Sequence, residues 1–272
     1  MIKEFAFGLA QRHYFQDAAE ICNWMNIDRD TYMSLYEFDE GITDFFAKNK
    51  TLSGFDGLVY MPDEFILDID GKDFDDLENA RQKTVGLTLL LNDLDIPYKI
   101  YFSGNKGFHL GIPGEAFRWK PCKDLHVKVK DALTNAGIFE YADVSVTDKL
   151  RLIRIVNTKN LKAQLWKTEI TSNQLNATDI KATMQLIAKS PGKATDFDLE
   201  CNPVFDVLST PKKRVEKESL SIPKFIRQGR NPDPVNYPCI SSMLSSNAQG
   251  ERHATALRIS AWFRWLYPES VV

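Results

Sequence analysis

The hydrophobic and polar positions of this 272-residue chain form helix-like stripes at its start and short apolar runs through its middle. In the first 50 residues the pattern predicts helices and connections. One amphipathic piece covers residues 18–25, and a second begins at Gly41. We therefore expect a helical lead in front of the core.

From Gly57 the pattern changes to strands and helices in alternation. The turn signal Pro62-Asp63 separates apolar runs at 57–61 and 65–67, which predicts two adjacent strands. Further strands are predicted at 98–102, 108–112, 151–156 and 165–170, and helices at 77–94, 125–136 and 178–189. These elements predict an α+β core with helices packed on a sheet.

Three regions follow from the breaks in this pattern. Residues 1–190 are expected to form the main domain, including the helical lead. Residues 191–238, rich in proline and basic side chains, predict a partly extended linker. Residues 239–272 predict a small helical domain. Its several large aromatic residues lack a packing partner in the sequence, which suggests that the polypeptide continues beyond it.

Composition and charge narrow the class of protein. With 43% hydrophobic and 26% charged residues, the chain is neither disordered nor fibrous. No apolar run approaches about 18 residues, so we expect neither a membrane span nor a secretory signal, and a cytoplasmic location. The four cysteines are far apart, so no disulfide framework is predicted and zinc is unlikely, even for the pair Cys122 and His126.

The net charge of −3 conceals a separation of sign along the chain. Residues 61–80 hold eight acidic residues and one lysine, whereas residues 99–130 hold seven Lys or Arg and two acidic residues. Acidic groups suited to a metal therefore neighbour basic groups suited to phosphate.

Two carboxylates end the strand that starts at Phe65. Asp68 and Asp70 are two residues apart, so on a strand both project from the same face. Such a pair is stabilised by Mg²⁺ or Mn²⁺, which prefer oxygen ligands. The alternative is a strand that ends in a solvated acidic turn, and the aspartates that follow Gly71 keep it open.

A glycine-rich connection between two strands, Ser103 to His109, has the character of a phosphate-binding turn. Its glycines let backbone N–H groups approach an anion, and Ser, Lys and His add directed donors. The alternative is an ordinary β-turn with an exposed lysine and a histidine that belongs to the core. Further along, Asp143 supplies a third carboxylate, although it could simply cap a turn. Residues 149–167 then hold six Lys or Arg and no acidic residue.

In this order, the Leu67-Asp68-Ile69-Asp70 strand, the Ser103–His109 turn and the segment from Asp143 to Arg154 resemble the catalytic core of the archaeo-eukaryotic primase superfamily. The resemblance covers roughly residues 57–170. It implies a mixed sheet with an RRM-like unit and flanking helices. The flanks are similar to the primase-polymerases of phages and plasmids, where a helicase often follows, so a helicase domain or protein is an expected partner.

Carried over residue by residue, the resemblance implies that Asp68, Asp70 and Asp143 are the catalytic, metal-binding carboxylates of a two-metal Mg²⁺ or Mn²⁺ site. The nucleotide-binding residues would be Ser103, Asn105, Lys106, His109, Arg154, Asn160 and Lys162, with Arg151 supporting the wall of the site. Many relatives have a histidine where this chain has Asn160, which leaves its nucleotide affinity and its preference for ribonucleotides open.

The implied function is a DNA primase-polymerase. It would transfer nucleotides from dNTP or NTP to a 3′-hydroxyl on a single-stranded DNA template, and it would also make primers. If phage-encoded, it would act in the host cytoplasm. The alternatives are a metal-dependent nuclease, a catalytically inactive single-stranded nucleic-acid-binding module and, more remotely, a sugar-nucleotide glycosyltransferase.

Overall fold

The computed structural model describes residues 1–193, apart from residues 9 and 26, together with Val204 and Phe205. These residues belong to one unit of the chain, Met1–Lys212. Apart from residues 191–193, 204 and 205, the predicted linker lies outside the described residues. The predicted helical domain at 239–272 lies outside them entirely.

The described residues form twelve strands and five α-helices, with short 3₁₀-helices between them. The strands are β1 (Ile2–Phe7), β2 (Gln11–Asp17), β3 (Thr31–Ser34), β4 (Glu37–Phe38), β5 (Val59–Tyr60), β6 (Glu64–Asp70), β7 (Lys99–Phe102), β8 (Gly107–Pro113), β9 (Leu152–Arg154), β10 (Lys159–Asn160), β11 (Leu165–Trp166) and β12 (Thr168–Ile170). The helices are α1 (Gly41–Asn49), α2 (Leu77–Asp93), α3 (Leu125–Asn135), α4 (Ser172–Leu175) and α5 (Ile180–Ile187). In this part of the chain, none of the helices has the length and apolar character needed to cross a membrane.

The first sheet is built largely from the N-terminal segment. Its strands lie in the order β5-β4-β1-β3-β9, and β2 pairs with β1. This corrects the predicted helical lead, of which only α1 and a 3₁₀-helix at Ala18–Trp24 are present. A short apolar run does not distinguish a strand from a helix by its period, and here β1 is fixed by backbone pairing with β2, β3 and β4.

The second sheet has the order β12-β7-β8-β6. After β6 the chain forms α2, returns as β7 and turns directly into β8, which inserts between β7 and β6. This order matches the start of the β-α-β-β-α-β pattern. Every strand pairing among the described residues is antiparallel, so the expected mixed sheet is an antiparallel one. The two strands predicted as neighbours, β5 and β6, lie in different sheets.

The two faces of the second sheet have opposite character. On β6, Phe65, Leu67 and Ile69 are almost completely buried and belong to the core that includes Leu77 and Leu87 of α2. Each such side chain contributes about 2 kcal/mol through the apolar surface removed from water. Because strand residues alternate between faces, the residues between them, including Asp68 and Asp70, project from the face opposite α2.

Phe205 belongs to this core although it lies inside the predicted linker. Its side chain is fully buried, and its ring stacks on Phe117 with centroids 4.7 Å apart and planes 20° from parallel. At this position, therefore, the chain packs on the main domain.

Candidate active site

The polar face of the second sheet carries a row of side chains across all four strands. Asp68 lies opposite His109 on β8, His109 lies opposite Tyr101 on β7, and Tyr101 lies opposite Glu169 on β12. Directly opposed residues of antiparallel strands point to the same face and have their Cβ atoms about 5 Å apart. Strand pairing alone thus brings Asp68, His109 and Tyr101 together.

Asp70 lies at the end of β6 opposite Gly107. Any side chain at Gly107 would collide with the carbonyl oxygen of Ile69 and would come close to the Asp70 carboxylate. Glycine at this position therefore leaves the space in which Asp70 reaches over the neighbouring strand.

Asp143 reaches this sheet edge from a distant part of the chain. Its backbone N–H donates a 2.8 Å hydrogen bond to the carbonyl oxygen of Asp68. Its carboxylate caps a 3₁₀-helix at Val144–Thr147, accepting bonds from the N–H of Ser145 at 2.9 Å and from the Ser145 hydroxyl at 2.6 Å. The three candidate metal ligands therefore share one edge of the sheet.

The turn between β7 and β8 is closed by its own residues. The N–H of Ser103 donates to the Gly107 carbonyl at 3.0 Å, and the Ser103 hydroxyl accepts from the N–H of Gly107 at 3.2 Å. Gly104 has a φ of +84° and lies against the backbone of 165–167, where a Cβ would be 3.0 Å from the Leu165 carbonyl oxygen. Only glycine satisfies both conditions without strain. Asn105 and Lys106, both half-buried, form the tip of the turn.

Two cationic side chains of the protein bind the acidic cluster. Nζ of Lys106 lies 2.9 Å from Oδ2 of Asp70. Nη2 of Arg151 donates to Oδ2 of Asp68 at 3.0 Å and lies 3.9 Å from Oδ2 of Asp143. The turn predicted to hold phosphate therefore faces the carboxylates predicted to hold metal, and Arg151 joins the carboxylates to each other.

The carboxylates differ in their ease of ionisation. Burial, and next the negative charge of Asp70, raises the pKa of Asp68 to about 6. For Asp143, partial burial opposes ionisation, but the hydrogen bonds from Ser145, together with Arg151 and Lys106, outweigh it and lower its pKa. Asp143 is therefore ionised at neutral pH and stays ionised in mild acid. Asp68, by contrast, is protonated in mild acid.

His109 was predicted to contact the triphosphate. In the structure it lies beside Asp68, on the neighbouring strand β8. Its Nε2 lies 3.4 Å from Oδ1 of Asp68, and its side chain is almost completely buried. Burial, and next the positive charges of Lys167 and Arg154, lowers the pKa of His109 well below its usual value. The imidazole is therefore neutral at pH 7, and it packs beside the Asp68 carboxylate.

Tyr101 also belongs to a second polar cluster, with Glu64 and Lys167, which the sequence analysis did not predict. The Tyr101 hydroxyl donates to Oε1 of Glu64 at 2.7 Å, and burial raises the pKa of Glu64. Nζ of Lys167 is buried, lies 5.2 Å from the centre of the Tyr101 ring and donates to the Arg154 carbonyl at 2.7 Å. Burial lowers the pKa of Lys167 to about 7. The signal for Glu64 was available, because it lies four residues before Asp68 on the same strand face.

Arg154 was predicted to bind the nucleotide, but its guanidinium is occupied by contacts within the protein. Its guanidinium pairs with Asp30, donates to the Tyr32 hydroxyl at 2.6 Å and donates to the Lys159 carbonyl at 3.1 Å. The side chain is only 9% exposed. These contacts fix β9 to β3 and its preceding turn, and Arg154 affects the site through its charge on His109.

The remaining predicted nucleotide-binding residues are Asn160, which ends β10, and Lys162, which lies on the turn that follows. Oδ1 of Asn160, which is buried, accepts hydrogen bonds from the N–H groups of Lys162 and Ala163, both at 3.0 Å. The Lys162 side chain is exposed. Asn160 thus shapes the turn that presents Lys162, and nucleotide binding by both stays a prediction.

The acidic cluster offers a free oxygen to a divalent ion. Oδ1 of Asp68 is buried and has no hydrogen-bond partner among the described residues, which is the condition of an oxygen available to a ligand. Carboxylate oxygens are the ligands that Mg²⁺ and Mn²⁺ prefer. As arranged, no set of three acidic, His or Cys side chains in the described residues is close enough to hold a metal. The residue types of the cluster therefore suit a divalent ion, and Asp68, Asp70 and Asp143 are the carboxylates that would hold it.

Comparisons with known proteins give few relatives. No family model matches the chain, and no curated protein matches it. Four chains of solved structures match. One is described as the polymerase domain from Mycobacterium tuberculosis Ligase D in complex with DNA, at 12% sequence identity and a TM-score of 0.38. The match covers 59% of this chain and 60% of that one, so it spans less than two thirds of the neighbour. A TM-score of this size does not establish a shared fold.

Proposed function

We propose that this chain is a DNA-directed nucleotidyltransferase, a primase-polymerase that adds nucleotides to a 3′-hydroxyl opposite a single-stranded DNA template. The observation that carries the proposal is the hydrogen bond from the Asp143 N–H to the Asp68 carbonyl. It supports a site in which carboxylates from two separate segments meet the lysine-bearing turn. The sequence resemblance to archaeo-eukaryotic primases, carried by these same segments, supports the same reaction.

In this reaction the oxygen of a 3′-hydroxyl attacks the α-phosphorus of a bound dNTP or NTP in line. A phosphodiester bond forms, the bond between the α-phosphorus and the oxygen that bridges it to the β-phosphorus breaks, the hydroxyl proton passes to solvent water, and pyrophosphate leaves. Bound Mg²⁺ or Mn²⁺ would lower the pKa of the hydroxyl and neutralise charge on both the attacking and the leaving oxygen. Asp68, Asp70 and Asp143 would hold these ions.

The other residues of the site would bind and orient the triphosphate. Lys106, which pairs with Asp70, would exchange this carboxylate for a phosphate oxygen as a charged donor on a glycine-rich turn. Ser103, in the same turn, would hold its shape by bonding to Gly107. His109, kept neutral by burial, would position Asp68. Positioning of this kind is the main contribution a protein makes to nucleotidyl and phosphoryl transfer.

The test is incubation of the full chain with a single-stranded template, labelled nucleotides and Mg²⁺ or Mn²⁺, with products separated by length. A primed template is run in parallel, and dNTP and NTP are compared. We expect products longer than the primer on the primed template, and new short products on the unprimed one. Asp70→Asn should reduce synthesis by about 100-fold or more while leaving single-stranded DNA binding close to that of the wild type.

Other outcomes would assign the chain differently. Shortening of the template in place of synthesis would make it a metal-dependent nuclease that uses the same carboxylates. DNA binding without reaction, unchanged by Asp70→Asn, would make it a nucleic-acid-binding module. Equal synthesis by the wild type and the variant would remove the carboxylates from the mechanism.

A further inference from the structure

Arg151 occupies the centre of the acidic cluster. Its Nη2 lies 3.0 Å from Oδ2 of Asp68 and 3.9 Å from Oδ2 of Asp143, although the two aspartates belong to different elements. A cation held by these same two oxygens would have to take the place of the guanidinium. Two cations this close repel strongly in a partly buried site. The guanidinium and a divalent ion therefore compete for one position.

The backbone of Arg151 is fixed by two hydrogen bonds, whereas its guanidinium is held by the carboxylates through Nη2. Its N–H donates to the Asp148 carbonyl and its carbonyl oxygen accepts from the N–H of Leu35, both at 2.9 Å. The side chain is 31% exposed, and its buried Nε has no hydrogen-bond partner among the described residues. Arg154, three residues further on, is bound by Asp30, Tyr32 and the Lys159 carbonyl. Of these two arginines, Arg151 is the more exposed, and its buried Nε is a donor without a partner among the described residues.

We propose that Arg151 is a displaceable counter-ion that holds Asp68 and Asp143 until a divalent ion takes its place. The released guanidinium then binds the triphosphate of the incoming nucleotide. A phosphate group offers two oxygens in the geometry of the arginine fork, so Nε gains the partner that it lacks at the carboxylates. This inference rests on the proposed function, because it needs a metal and a triphosphate in the same site. It makes Arg151 a positioning residue for metal entry and a contact residue for nucleotide.

The first measurement needs no reaction. Mn²⁺ binding to the full chain, without nucleotide, is measured by electron paramagnetic resonance for the wild type, Arg151→Gln and Arg151→Lys. Arg118→Gln, an exposed arginine outside the cluster, controls for the change in net charge. We expect Arg151→Gln to bind Mn²⁺ about fivefold to tenfold more tightly, because nothing has to be displaced. Arg151→Lys, which keeps the charge, and Arg118→Gln should stay within about twofold of the wild type. Unchanged or weaker binding by Arg151→Gln would overturn the proposal.

The second measurement uses the wild-type protein and so does not depend on the folding of a variant. The Nε–Hε resonance of Arg151 is followed by NMR during titration with Mg²⁺ and then with a non-hydrolysable dNTP analogue. We expect one change of chemical shift as Mg²⁺ saturates the site and a second as the analogue binds. A resonance that does not move through saturation shows that the arginine stays in place, and the proposal fails.

Failure of the proposed function gives a different pattern. Asp143→Asn should weaken Mn²⁺ binding in the same assay. If neither this variant nor Asp70→Asn alters Mn²⁺ binding, the carboxylates are not the metal site and the nucleotidyltransferase proposal fails. If both weaken it while Arg151→Gln leaves it unchanged, the metal site stands and only the role of Arg151 is rejected.

Discussion

The N–H of Asp143 donates a hydrogen bond to the carbonyl oxygen of Asp68 over 2.8 Å, across 75 residues of sequence. This bond sets the start of the 3₁₀-helix at Val144–Thr147 against the edge strand β6. The carboxylate of Asp143 is thereby brought to the edge strand that carries Asp68 and Asp70. Because the bond joins two backbone groups, substitution of either aspartate side chain does not remove it.

Lys106→Ala should mainly raise the nucleotide concentration needed for synthesis. The lysine lies on the tip of the Ser103–Gly107 turn with Nζ 2.9 Å from Asp70, where it can pass to a phosphate oxygen. We expect KM for dNTP to rise by about 10-fold with a smaller change in kcat, measured in steady-state primer extension. Lys48→Ala, which removes an exposed lysine from α1, is the matched control and should leave both values unchanged. A change confined to DNA affinity would instead assign the turn to template binding.

The stability of the metal-free protein should depend on pH through Asp68. Burial, and next the charge of Asp70, raises its pKa to about 6, against 3.8 for the free side chain. Between these values Asp68 keeps its proton in the folded protein and loses it in the unfolded chain, so its contribution to the free energy of unfolding falls as the pH rises from about 4 to 6. Above pH 6 the whole penalty is present, and its size is about 3 kcal/mol.

Urea unfolding in EDTA across this pH range measures the effect. Asp68→Asn should remove this contribution, because asparagine does not titrate, so the wild type should lose stability relative to the variant between pH 4 and 6. Asp44→Asn, at an exposed position on α1, should keep the profile of the wild type. Parallel profiles for the wild type and Asp68→Asn would contradict the raised pKa of a buried Asp68.

Tyr101→Phe should destabilise the protein and make Glu64 harder to ionise. The lost hydroxyl is the donor to Oε1 of Glu64 at 2.7 Å, and this bond lowers the pKa of a carboxyl that burial raises. We expect a loss of about 1–2 kcal/mol in the free energy of unfolding. The pKa of Glu64, followed by NMR, should move further up. Tyr98→Phe, at a half-buried tyrosine three residues earlier, should have less effect on either quantity.

Phe205→Ala should lower the stability of the main domain although residue 205 lies in a segment with a linker-like sequence. Its ring is fully buried and stacks on Phe117. Removing a buried phenylalanine side chain costs about 3–5 kcal/mol, which thermal unfolding would detect as a clear fall in Tm. Leu186→Ala, at a leucine that is 67% exposed on α5, should change the stability by less than about 0.5 kcal/mol. Equal effects from the two variants would mean that Phe205 leaves the core in solution.

Local pattern was enough to predict the elements of the second sheet and its helices. The predicted helix 77–94 is confirmed as α2, and the predicted strands 98–102 and 108–112 are confirmed as β7 and β8. In each of these segments the hydrophobic positions repeat with the period of a helix or a strand. This signal depends only on residues close together in the sequence. The same local rule placed Asp68 and Asp70 on one strand face and the glycine-rich turn between two strands.

The N-terminal segment was mispredicted as helical because its short apolar runs do not distinguish a strand from a helix by their period, and backbone pairing decides between them. Strand β3, which pairs with β1, also pairs with β9, so that Tyr32 lies opposite Arg154. No local period encodes a pairing across more than 100 residues. Phe205 shows the same limit, since a single aromatic residue in a proline-rich segment gives no sign that it packs on Phe117.

By itself, the sequence determined which residue types are available for the chemistry: three carboxylates, a turn with lysine and glycine, and an acid-free basic segment. Only the tertiary structure decided how they are paired. It placed Lys106 on Asp70, Arg151 between Asp68 and Asp143, and Arg154 against Asp30. The Arg151–Asp68 bond joins residues 83 positions apart. Ion pairs of this kind depend on the distance between charged groups in space. Long-range strand pairing sets that distance, whereas the order of residues along the chain does not.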